Sequence, residues 1–332
     1  MKKISILLPF RNAASTLPRA IHSILNQTFS DFEFILINDG STDNSVPIVK
    51  KIQDHRIKLI NLSPSGIVKA LNLGLSWCST KYVARMDADD YSYPNRLKKQ
   101  FQFLESHPEI DIVGSQVRYM GNKELNIGFN HYIEWNNRLL SHKEMFLNRF
   151  VESPIIHPTI MMRLLLVKKY GAYADGSFPE DYELWLRLMQ EGIQFSKIDE
   201  ILLDWYDDPN RLSRTGTRYS TDAFYILKSK YLATWLKTQF NHLPPVLVWG
   251  TGKSVHQKSK WLTKNDINIS GYIDVTDKKN RIFNNKPVFY YQDLPKYNFI
   301  LSYVSDRFGR IKIREYLLSQ RFKEGRDFYM MA

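Results

Sequence analysis

Length, composition and charge already exclude several classes of protein. The chain has 332 residues, more than one hydrophobic core usually organises, so we expect two domains. Hydrophobic residues make up 43% and charged residues 24%, which is typical of a folded globular protein, and the single cysteine, Cys78, excludes an intramolecular disulfide framework.

The charge balance limits the partners of the chain. Its 46 Lys and Arg outnumber its 34 Asp and Glu, and the net charge of +12 favours phosphorylated substrates or anionic surfaces. The cations are scattered in ones and twos, so we expect no nucleic-acid binding. The first apolar run is too short for a signal peptide, and no stretch approaches the roughly 20 apolar residues that span a bilayer. We therefore expect a cytoplasmic protein, with any membrane contact peripheral at the inner face, and leave homo-oligomerisation open.

The first ninety residues alternate apolar runs of strand length with helical patterns. Strands are predicted over residues 4–9, 32–38, 57–61 and 82–86. The first helix is predicted from about Ser15, its expected N-cap, with Pro18 in the first turn. This order predicts an α/β sheet of mostly parallel strands.

The rest of the chain is expected to contain a second α/β unit. A strand over 110–119 and an amphipathic helix over 181–190, whose Trp185 and Leu188 we expect in the core, precede it. After Pro244-Pro245, a strand, a glycine turn, a helical stretch and another strand follow in order. We place the boundary near residue 242, giving domains 1–241 and 242–332.

An acidic cluster directly follows the predicted strand that ends at Met86. Residues 87–90 read Asp-Ala-Asp-Asp, and the carboxyl edge of an open α/β sheet is where ligands bind. Neighbouring carboxylates repel one another, and bound Mg²⁺ or Mn²⁺ would offset that repulsion and bridge to diphosphate oxygens. A solvated acidic turn accounts for the same residues, so the cluster alone leaves both interpretations open.

Two further acidic positions belong to the same analysis. Asp39 follows the second strand and is expected at the same sheet edge, where its carboxylate could accept hydrogen bonds from a base or ribose. Glu180 and Asp181 open the amphipathic helix, where the helix dipole stabilises an acid. A carboxylate there could also deprotonate an acceptor hydroxyl as general base.

Together these segments resemble the family 2 glycosyltransferases, inverting enzymes with a GT-A fold, over roughly residues 3 to 215. The resemblance rests on five motifs in order: Leu8-Pro9-Phe10-Arg11-Asn12, Asn38-Asp39-Gly40-Ser41-Thr42-Asp43, Gly66-Ile67-Val68-Lys69-Ala70-Leu71-Asn72, Ala84-Arg85-Met86-Asp87-Ala88-Asp89-Asp90, and Pro179-Glu180-Asp181-Tyr182-Glu183-Leu184-Trp185-Leu186-Arg187. The second motif departs from the family pattern, which usually has Asp where this chain has Asn38.

The resemblance implies a GT-A type nucleotide-diphospho-sugar transferase domain. Such an enzyme moves a sugar from a nucleotide-diphosphate donor, here a UDP-sugar by preference, to a hydroxyl of a glycan or lipid-linked glycan. It implies a role in cell-surface polysaccharide synthesis and a divalent cofactor, Mn²⁺ or Mg²⁺.

The resemblance also assigns roles to individual residues. It implies that Pro9 and Asn12 line the nucleotide pocket and that Asp39 reads the base. The sugar-nucleotide would also be held by Asp87 at the ribose and by the adjoining Ala88. The resemblance further implies that Asp89 is the metal ligand and that Asp181 is the catalytic base.

Five other side chains are candidates for contact with the acceptor or the diphosphate. They are Arg85, His157, Glu180, Arg211 and Arg214. A structural role for the histidine and a plain surface loop around the last two arginines account for the sequence equally well. Arginine is nevertheless the residue best suited to clamp a phosphate.

The C-terminal unit begins like a dinucleotide-binding fingerprint. Gly250-Thr251-Gly252 follows a predicted strand and Asp274 ends the next one, but Val255 replaces the third glycine. The unit resembles the truncated, smaller Rossmann-like α/β domains found beside some sugar-modifying enzymes. A structural or oligomerising role is our first expectation for it, and nucleotide or sugar binding is the second.

Two other functions compete with glycosyl transfer. A sugar nucleotidyltransferase usually has a glycine- and arginine- or lysine-rich loop near its N-terminus, whereas residues 9–15 contain one Arg and no Gly. A catalytically degenerate sugar- or nucleotide-binding protein would have little use for both Asp89 and Asp181.

Overall fold

The computed structural model describes residues 2–208, 211–277, 280–295 and 298–332. The chain forms two compact units, which we describe separately. Unit 1 comprises Met1–Met145, Pro154–Gly176 and Glu180–Thr215. Unit 2 comprises Phe146–Ser153, Ser177–Pro179 and Gly216–Ala332.

Strands and helices alternate through the first 215 residues. The strands are β1 (Ile4–Phe10), β2 (Phe32–Asp39), β3 (Ile57–Leu62), β4 (Tyr82–Arg85), β5 (Tyr91–Ser92), β6 (Ile112–Met120), β7 (Met161–Arg163) and β8 (Phe195–Tyr206). The helices are α1 (Leu17–Leu25), α2 (Ser45–Lys50), α3 (Ile67–Trp77), α4 (Arg96–Ser106), α5 (Ile127–Arg138), α6 (His142–Asn148), α7 (Leu165–Tyr170), α8 (Glu180–Gln190) and α9 (Leu212–Thr215). A short 3-10 helix covers His157–Thr159.

The eight strands form one sheet in the order β3-β2-β1-β4-β7-β6-β8-β5. The first four in this order run parallel, with Ile4 opposite both Phe32 and Tyr82. Strands β1 and β2 are buried along their whole length, as expected for parallel strands covered on both faces. The α/β architecture predicted from the sequence is therefore confirmed.

The start of the first helix differs from the prediction. Helix α1 begins at Leu17, and Ser15 is not its N-cap. The backbone N–H groups of Thr16 and Leu17 both donate to the carbonyl of Ala13, so a tight turn takes up the residues before the helix. Pro18 does lie in the first turn, where its missing N–H costs no hydrogen bond.

The expected core position of Trp185 and Leu188 is confirmed, and the lone cysteine is buried as well. Trp185 and Leu188 of α8 are 0% and 1% exposed, so this face is core and offers no platform to an acceptor. The lone cysteine, Cys78, is buried and free, and burial raises the pKa of its thiol to about 12.

Unit 2 is a smaller α/β unit built on a second sheet. Its elements are α10 (Thr221–Phe240), β9 (Val246–Trp249), α11 (Lys253–Thr263), β10 (Ile269–Asp274), β11 (Ile282–Phe283), β12 (Lys286–Tyr290), β13 (Phe299–Ser302), α12 (Arg307–Ser319) and β14 (Phe328–Met330). The strand order is β11-β12-β10-β9-β13-β14, and all pairs except β11–β12 are parallel. The five parallel strands follow the 3-2-1-4-5 order of a Rossmann-type sheet.

Helix α10 packs with unit 2, although it precedes the boundary expected near residue 242. Units 1 and 2 are defined by which residues pack together, and this does not test the domain boundary predicted from the sequence. The assignment of domains 1–241 and 242–332 therefore stays a prediction. Among the residues that the structure describes, no helix combines the length and the apolar character needed to cross a bilayer.

Candidate active site

The topology of unit 1 brings the predicted acidic residues to one edge of the sheet. Strands β2, β1 and β4 are parallel neighbours, so their carboxyl ends meet there. Asp39 is the last residue of β2, and Asp87 follows the end of β4 by two residues. The carboxyl edge of an open α/β sheet is the usual position of a ligand site.

Asp87, Asp89 and Asp90 form a compact acidic triad. Each offers a carboxylate oxygen, and these oxygens all lie within 4.8 Å of one another. Asp90 is 0% exposed, and its Oδ1 accepts the backbone N–H of Tyr206 at 2.9 Å. Its Oδ2 is buried without a hydrogen-bond partner among the described residues. A buried carboxylate oxygen without a partner is costly, so this arrangement favours a bound cation.

The protein environment lowers the pKa of one carboxyl group of the triad and raises the pKa of the other two. Burial alone would raise the pKa of Asp87, but the charges of Arg85 and Arg211 lower it below its usual value. Burial raises the pKa of Asp89, against the opposing charge of Arg211. Burial and then the charge of Asp89 raise the pKa of Asp90 well above its usual value. Burial, together with repulsion within the triad, thus favours the protonated form of Asp89 and Asp90, and a bound cation would favour their ionised form.

Two arginines provide part of that charge. The Arg85 guanidinium lies 2.6 Å from an Asp87 oxygen and is itself 3% exposed. Arg211 approaches Asp87 at 3.4 Å and Asp89 at 3.7 Å. Its guanidinium stacks 4.0 Å above the centre of the Trp205 ring and donates to the carbonyl of Tyr206. Arg211 therefore neutralises the same carboxylates that would hold a metal.

Arg214 contacts different side chains from Arg211. Its guanidinium donates to both carboxylate oxygens of Asp207, the closer at 2.5 Å, and stacks 4.4 Å from the centre of the Phe129 ring. The Tyr119 hydroxyl donates to Asp207 as well. The predicted contact of Arg214 with diphosphate stays a prediction.

The triad fits a divalent cation with oxygen ligands. Three close carboxylates suit Mg²⁺ or Mn²⁺ in both charge and ligand type. The sequence assigned metal binding to Asp89 alone, whereas the structure also brings Asp87 and Asp90 within reach. The third aspartate of the Asp-Ala-Asp-Asp motif was the sequence signal for Asp90.

Asp181 has the ionisation expected of a general base. It lies in the first turn of α8, partly exposed, beside the buried Glu180. Burial and then the charge of Glu180 raise the pKa of Asp181 to about 7, although the N–H of Tyr182 donates to it at 2.7 Å. A carboxylate with a pKa near the working pH can accept a proton and release it again.

A buried His–Tyr pair lies between the two acidic groups. His157 Nε2 and the Tyr173 hydroxyl are 2.7 Å apart. Burial and then the charge of Arg85 lower the pKa of His157 to about 3, so its ring is neutral. Burial raises the pKa of Tyr173, whose phenol also feels the charges of Asp181 and Asp87. His157 is thus held by a structural hydrogen bond within reach of the site.

Tyr173 and Arg96 were not identified from the sequence. The side chain of Asn72 exchanges two hydrogen bonds with the backbone of Tyr173, at 2.9 and 3.0 Å, and so ties that segment to α3. Arg96 is 0% exposed and donates to the carbonyls of Arg85 and Pro158. Both residues contact residues that are distant in sequence, and no local sequence pattern indicates such contacts.

The loops after β1 and β2 are fixed to one another beside the triad. Asn12 takes a left-handed backbone conformation, φ 50°, and its side-chain oxygen accepts the N–H of Thr42 at 2.8 Å. The Asp39 carboxylate accepts the backbone N–H groups of Ser65 and Gly66. Pro9 lies beyond Leu7, where the pairing of β1 with β4 ends, so its missing N–H breaks no ladder bond.

The predicted residues fall into two groups. Arg85, Asp87, Asp89, Arg211 and His157 are joined by contacts or by mutual electrostatic effects, and Asp181 and Glu180 act on the same Tyr173. Pro9, Asn12, Asp39 and Ala88 lie at the ends of the neighbouring strands. The roles predicted for these residues in binding and catalysis stay predictions.

Family models match both parts of the chain. The model described as "Glycosyl transferase family 2" matches residues 5–171, half of the chain. The model described as "C2185-like, N-terminal" matches residues 244–326.

One relative and two solved proteins illustrate the similarity. The O-antigen biosynthesis glycosyltransferase WbnJ of Escherichia coli is 31% identical over 246 residues, 70% of this chain and 89% of WbnJ. S. aureus TarS 1-349 in complex with UDP-GlcNAc has a TM-score of 0.58 and 19% identity, covering 79% of this chain and 71% of that one. A longer TarS chain is covered over only 43% of its length. The mannosyltransferase PcManGT from Pyrobaculum calidifontis, in complex with GDP-Man and Mn²⁺, has a TM-score of 0.50 and 14% identity, covering 80% and 68% of the two chains. At these identities the two structures show a shared fold.

Proposed function

The chain belongs to glycosyl transferase family 2, and we propose that it moves a sugar from a nucleotide-diphosphate donor to a hydroxyl of a glycan or lipid-linked glycan, with inversion. The observation that carries this proposal is the pairing of the acidic triad with Asp181, whose pKa of about 7 suits a base. The assignment of WbnJ to O-antigen biosynthesis supports a role in cell-surface polysaccharide synthesis.

The triad is the proposed site of the divalent cofactor, Mn²⁺ or Mg²⁺, with Asp89 as a ligand. When bound, the cation stabilises the negative charge that develops on the departing diphosphate. The Mn²⁺ in PcManGT and the orphan oxygen of Asp90 both support this part of the proposal. Arg211 contacts Asp87 and Asp89, and a guanidinium at this position is well suited to bind a phosphate group added beside these carboxylates.

The donor pocket is proposed at the ends of β1, β2 and β4. Pro9 and Asn12 would line it, Asp39 would accept from the base, and Asp87 and Ala88 would contact the ribose. Asp39 keeps free lone pairs although its oxygens already accept two backbone N–H groups. A UDP-sugar is our preferred donor, supported by UDP-GlcNAc in TarS, whereas GDP-Man in PcManGT supports testing GDP-sugars too.

Asp181 is the proposed catalytic base. Its carboxylate takes the proton of the acceptor hydroxyl while the oxygen attacks the anomeric carbon on the face opposite the leaving diphosphate. One displacement inverts that carbon, so no enzyme nucleophile is required. The charge of Glu180 raises the pKa of Asp181 and so strengthens it as a base. His157 is neutral, and we propose that it and Arg85 shape the acceptor or diphosphate side of the site.

Calorimetric titration with UDP-, GDP-, CMP- and dTDP-sugars, with Mn²⁺ and then with chelator, tests the donor and the cofactor. We expect one donor to bind only with metal and to lose at least about tenfold in affinity in Asp89→Asn, because a neutral amide is a much weaker ligand than a carboxylate for the cation that binds the diphosphate. Asp31→Asn, at an exposed surface carboxylate, is the matched control and should bind like the wild type.

Two outcomes of that titration, and two outcomes of activity assays on the same protein, would count against the proposal. Absence of donor binding in every condition would reject it, and so would equal binding by Asp89→Asn. A donor that binds but is neither transferred nor hydrolysed would favour a degenerate binding protein. Formation of a nucleotide sugar from nucleoside triphosphate and sugar phosphate would favour a nucleotidyltransferase. The cytoplasmic location, peripheral membrane contact and oligomeric state stay predictions.

A further inference from the structure

The sheet of unit 2 has a point where its strand order reverses. From β9 the chain crosses to β10 and β12 on one side, and β13 and β14 lie on the other. The crevice between β9 and β13, outside their carboxyl ends, is therefore a topological switch point. Open parallel sheets bind ligands at such points.

Charged side chains converge on an aromatic pair beside this switch point. Tyr303 directly follows β13, and its ring stacks on that of Tyr225 from α10, with centroids 5.8 Å apart. The ammonium groups of Lys228 and Lys258 lie 4.4 and 5.4 Å from the centroid of Tyr225. Two cations thus share one aromatic ring, and the charge of Arg310 from α12 acts on the same phenol.

The positive charges of this cluster are not balanced by the protein. Lys228 is 1% exposed and donates to the carbonyl of Val151 at 2.7 Å. Lys258 and Arg310 are partly buried, and neither side chain makes a hydrogen bond or ion pair with any described residue. The charge of Glu152 acts on Lys228 and Lys258, and that of Asp306 acts on Arg310, so two acids face three cations.

The pKa values of all three cations are lowered from their usual values. Burial lowers the pKa of Lys258, and burial followed by the charge of a neighbouring arginine lowers that of Arg310. Burial lowers the pKa of Lys228 to about 8, with the charge of Glu152 opposing this shift and those of Lys258 and Arg310 adding to it. Partly buried cations of like charge destabilise one another, and a bound anion would relieve that repulsion.

The glycine turn after β9 does not provide a second phosphate site of the dinucleotide type. Asp274, at the position of the ribose-binding acid, is held by Arg281 at 2.5 Å and by the hydroxyl of Thr251. A Cβ at Gly250 would lie 2.7 Å from a methyl group of Val255, so that side chain fills the space beside the turn. Any anion at this edge of the sheet would therefore be bound by side-chain cations.

We propose that unit 2 binds the phosphoryl group of a small molecule between Lys258 and Arg310, at the switch point of its sheet. A planar guanidinium can donate two parallel hydrogen bonds to phosphate, and an ammonium adds a compact charge. This site lies outside the acidic triad and goes beyond the proposed transfer reaction, which does not require it.

Calorimetry on the full chain tests the site, with inorganic phosphate and uridine monophosphate as probes at constant ionic strength. Chelator is present throughout, so that metal-dependent binding at the acidic triad does not contribute. We expect Arg310→Gln and Lys258→Gln each to weaken binding at least about tenfold, as loss of a charge-assisted hydrogen bond predicts. The matched control is Lys312→Gln, an exposed cation of the same helix as Arg310, which should bind like the wild type.

The outcomes separate the sources of the phosphoryl group. Equal, Arg310-dependent affinity for both probes would support recognition of phosphate alone, and tighter binding of uridine monophosphate would support a nucleotide. Equal binding by the wild type and both variants, or no binding by the wild type, would overturn the proposal. Circular dichroism establishes that each variant is folded, and Lys258→Arg, which keeps the charge, should retain binding.

Discussion

Replacing Asp181 with Asn should stabilise the protein more at about pH 8 than at about pH 5. Burial and the charge of Glu180 raise the pKa of Asp181 from 3.8 to about 7. The folded protein therefore keeps a proton that the unfolded chain has already lost. Stability from this group is fully present below the unfolded pKa and is lost as the pH rises through the folded pKa.

The size of the effect follows from the pKa shift. One pKa unit corresponds to about 1.4 kcal/mol, so the full shift of roughly three units is worth about 4 kcal/mol, and the roughly two units between pH 5 and the folded pKa account for about 3 kcal/mol of it. Solvent screening of the partly exposed Asp181 reduces this to about 1–2 kcal/mol. Asparagine has the shape of the protonated carboxyl and removes that cost, while abolishing its action as a base.

Urea denaturation of wild type and Asp181→Asn at both pH values measures the difference in the free energy of unfolding. Asp31→Asn, at an exposed carboxylate, controls for the change of charge and should differ little from the wild type at either pH. A stability difference between wild type and Asp181→Asn that is the same at both pH values would refute the raised pKa, and with it the reason for choosing Asp181 as base.

Three further predictions concern other parts of unit 1. Gly40→Ala should lower the free energy of unfolding, measured by urea denaturation, by about 2 kcal/mol or more. The reason is that φ of Gly40 is +66° and the new Cβ would lie 2.4 Å from Pro64. Near-wild-type stability would contradict this prediction. Cys78, buried and with a pKa of about 12, should react with Ellman's reagent only after denaturation, and rapid reaction in the folded protein would count against the packing described. Arg211→Gln should bind Mn²⁺ alone about tenfold more tightly by calorimetry, because the guanidinium no longer competes for Asp89; unchanged or weaker binding would exclude that competition.

Much of unit 1 could be predicted because its signals are local. Buried parallel strands are short apolar runs, and the polar residues that end them reach one sheet edge once the strand order is known. The positions of Asp39 and Asp87 followed from this reasoning. The start of α1 did not, because the backbone turn at Ala13 competes with a cap at Ser15.

Long-range contacts and helices without a clear apolar stripe could not be predicted in this way. Arg211 meets Asp87 across 124 positions of sequence, and no periodic pattern identifies such a pair. Helix α10 buries the charged Lys228 and exposes the apolar Ile226, so its sequence does not show the apolar stripe that marks an amphipathic surface helix. That is why a helix of 20 residues had no counterpart in the sequence analysis.

The stereochemistry of the released sugar tests the central claim most directly. Proton NMR of an α-linked UDP-sugar incubated with the protein and Mn²⁺ follows the anomer that forms when water replaces the acceptor. Inverting displacement with Asp181 as base predicts that the β anomer forms first and that Asp181→Asn releases almost none. Early formation of the α anomer, or full release by Asp181→Asn, would contradict the mechanism.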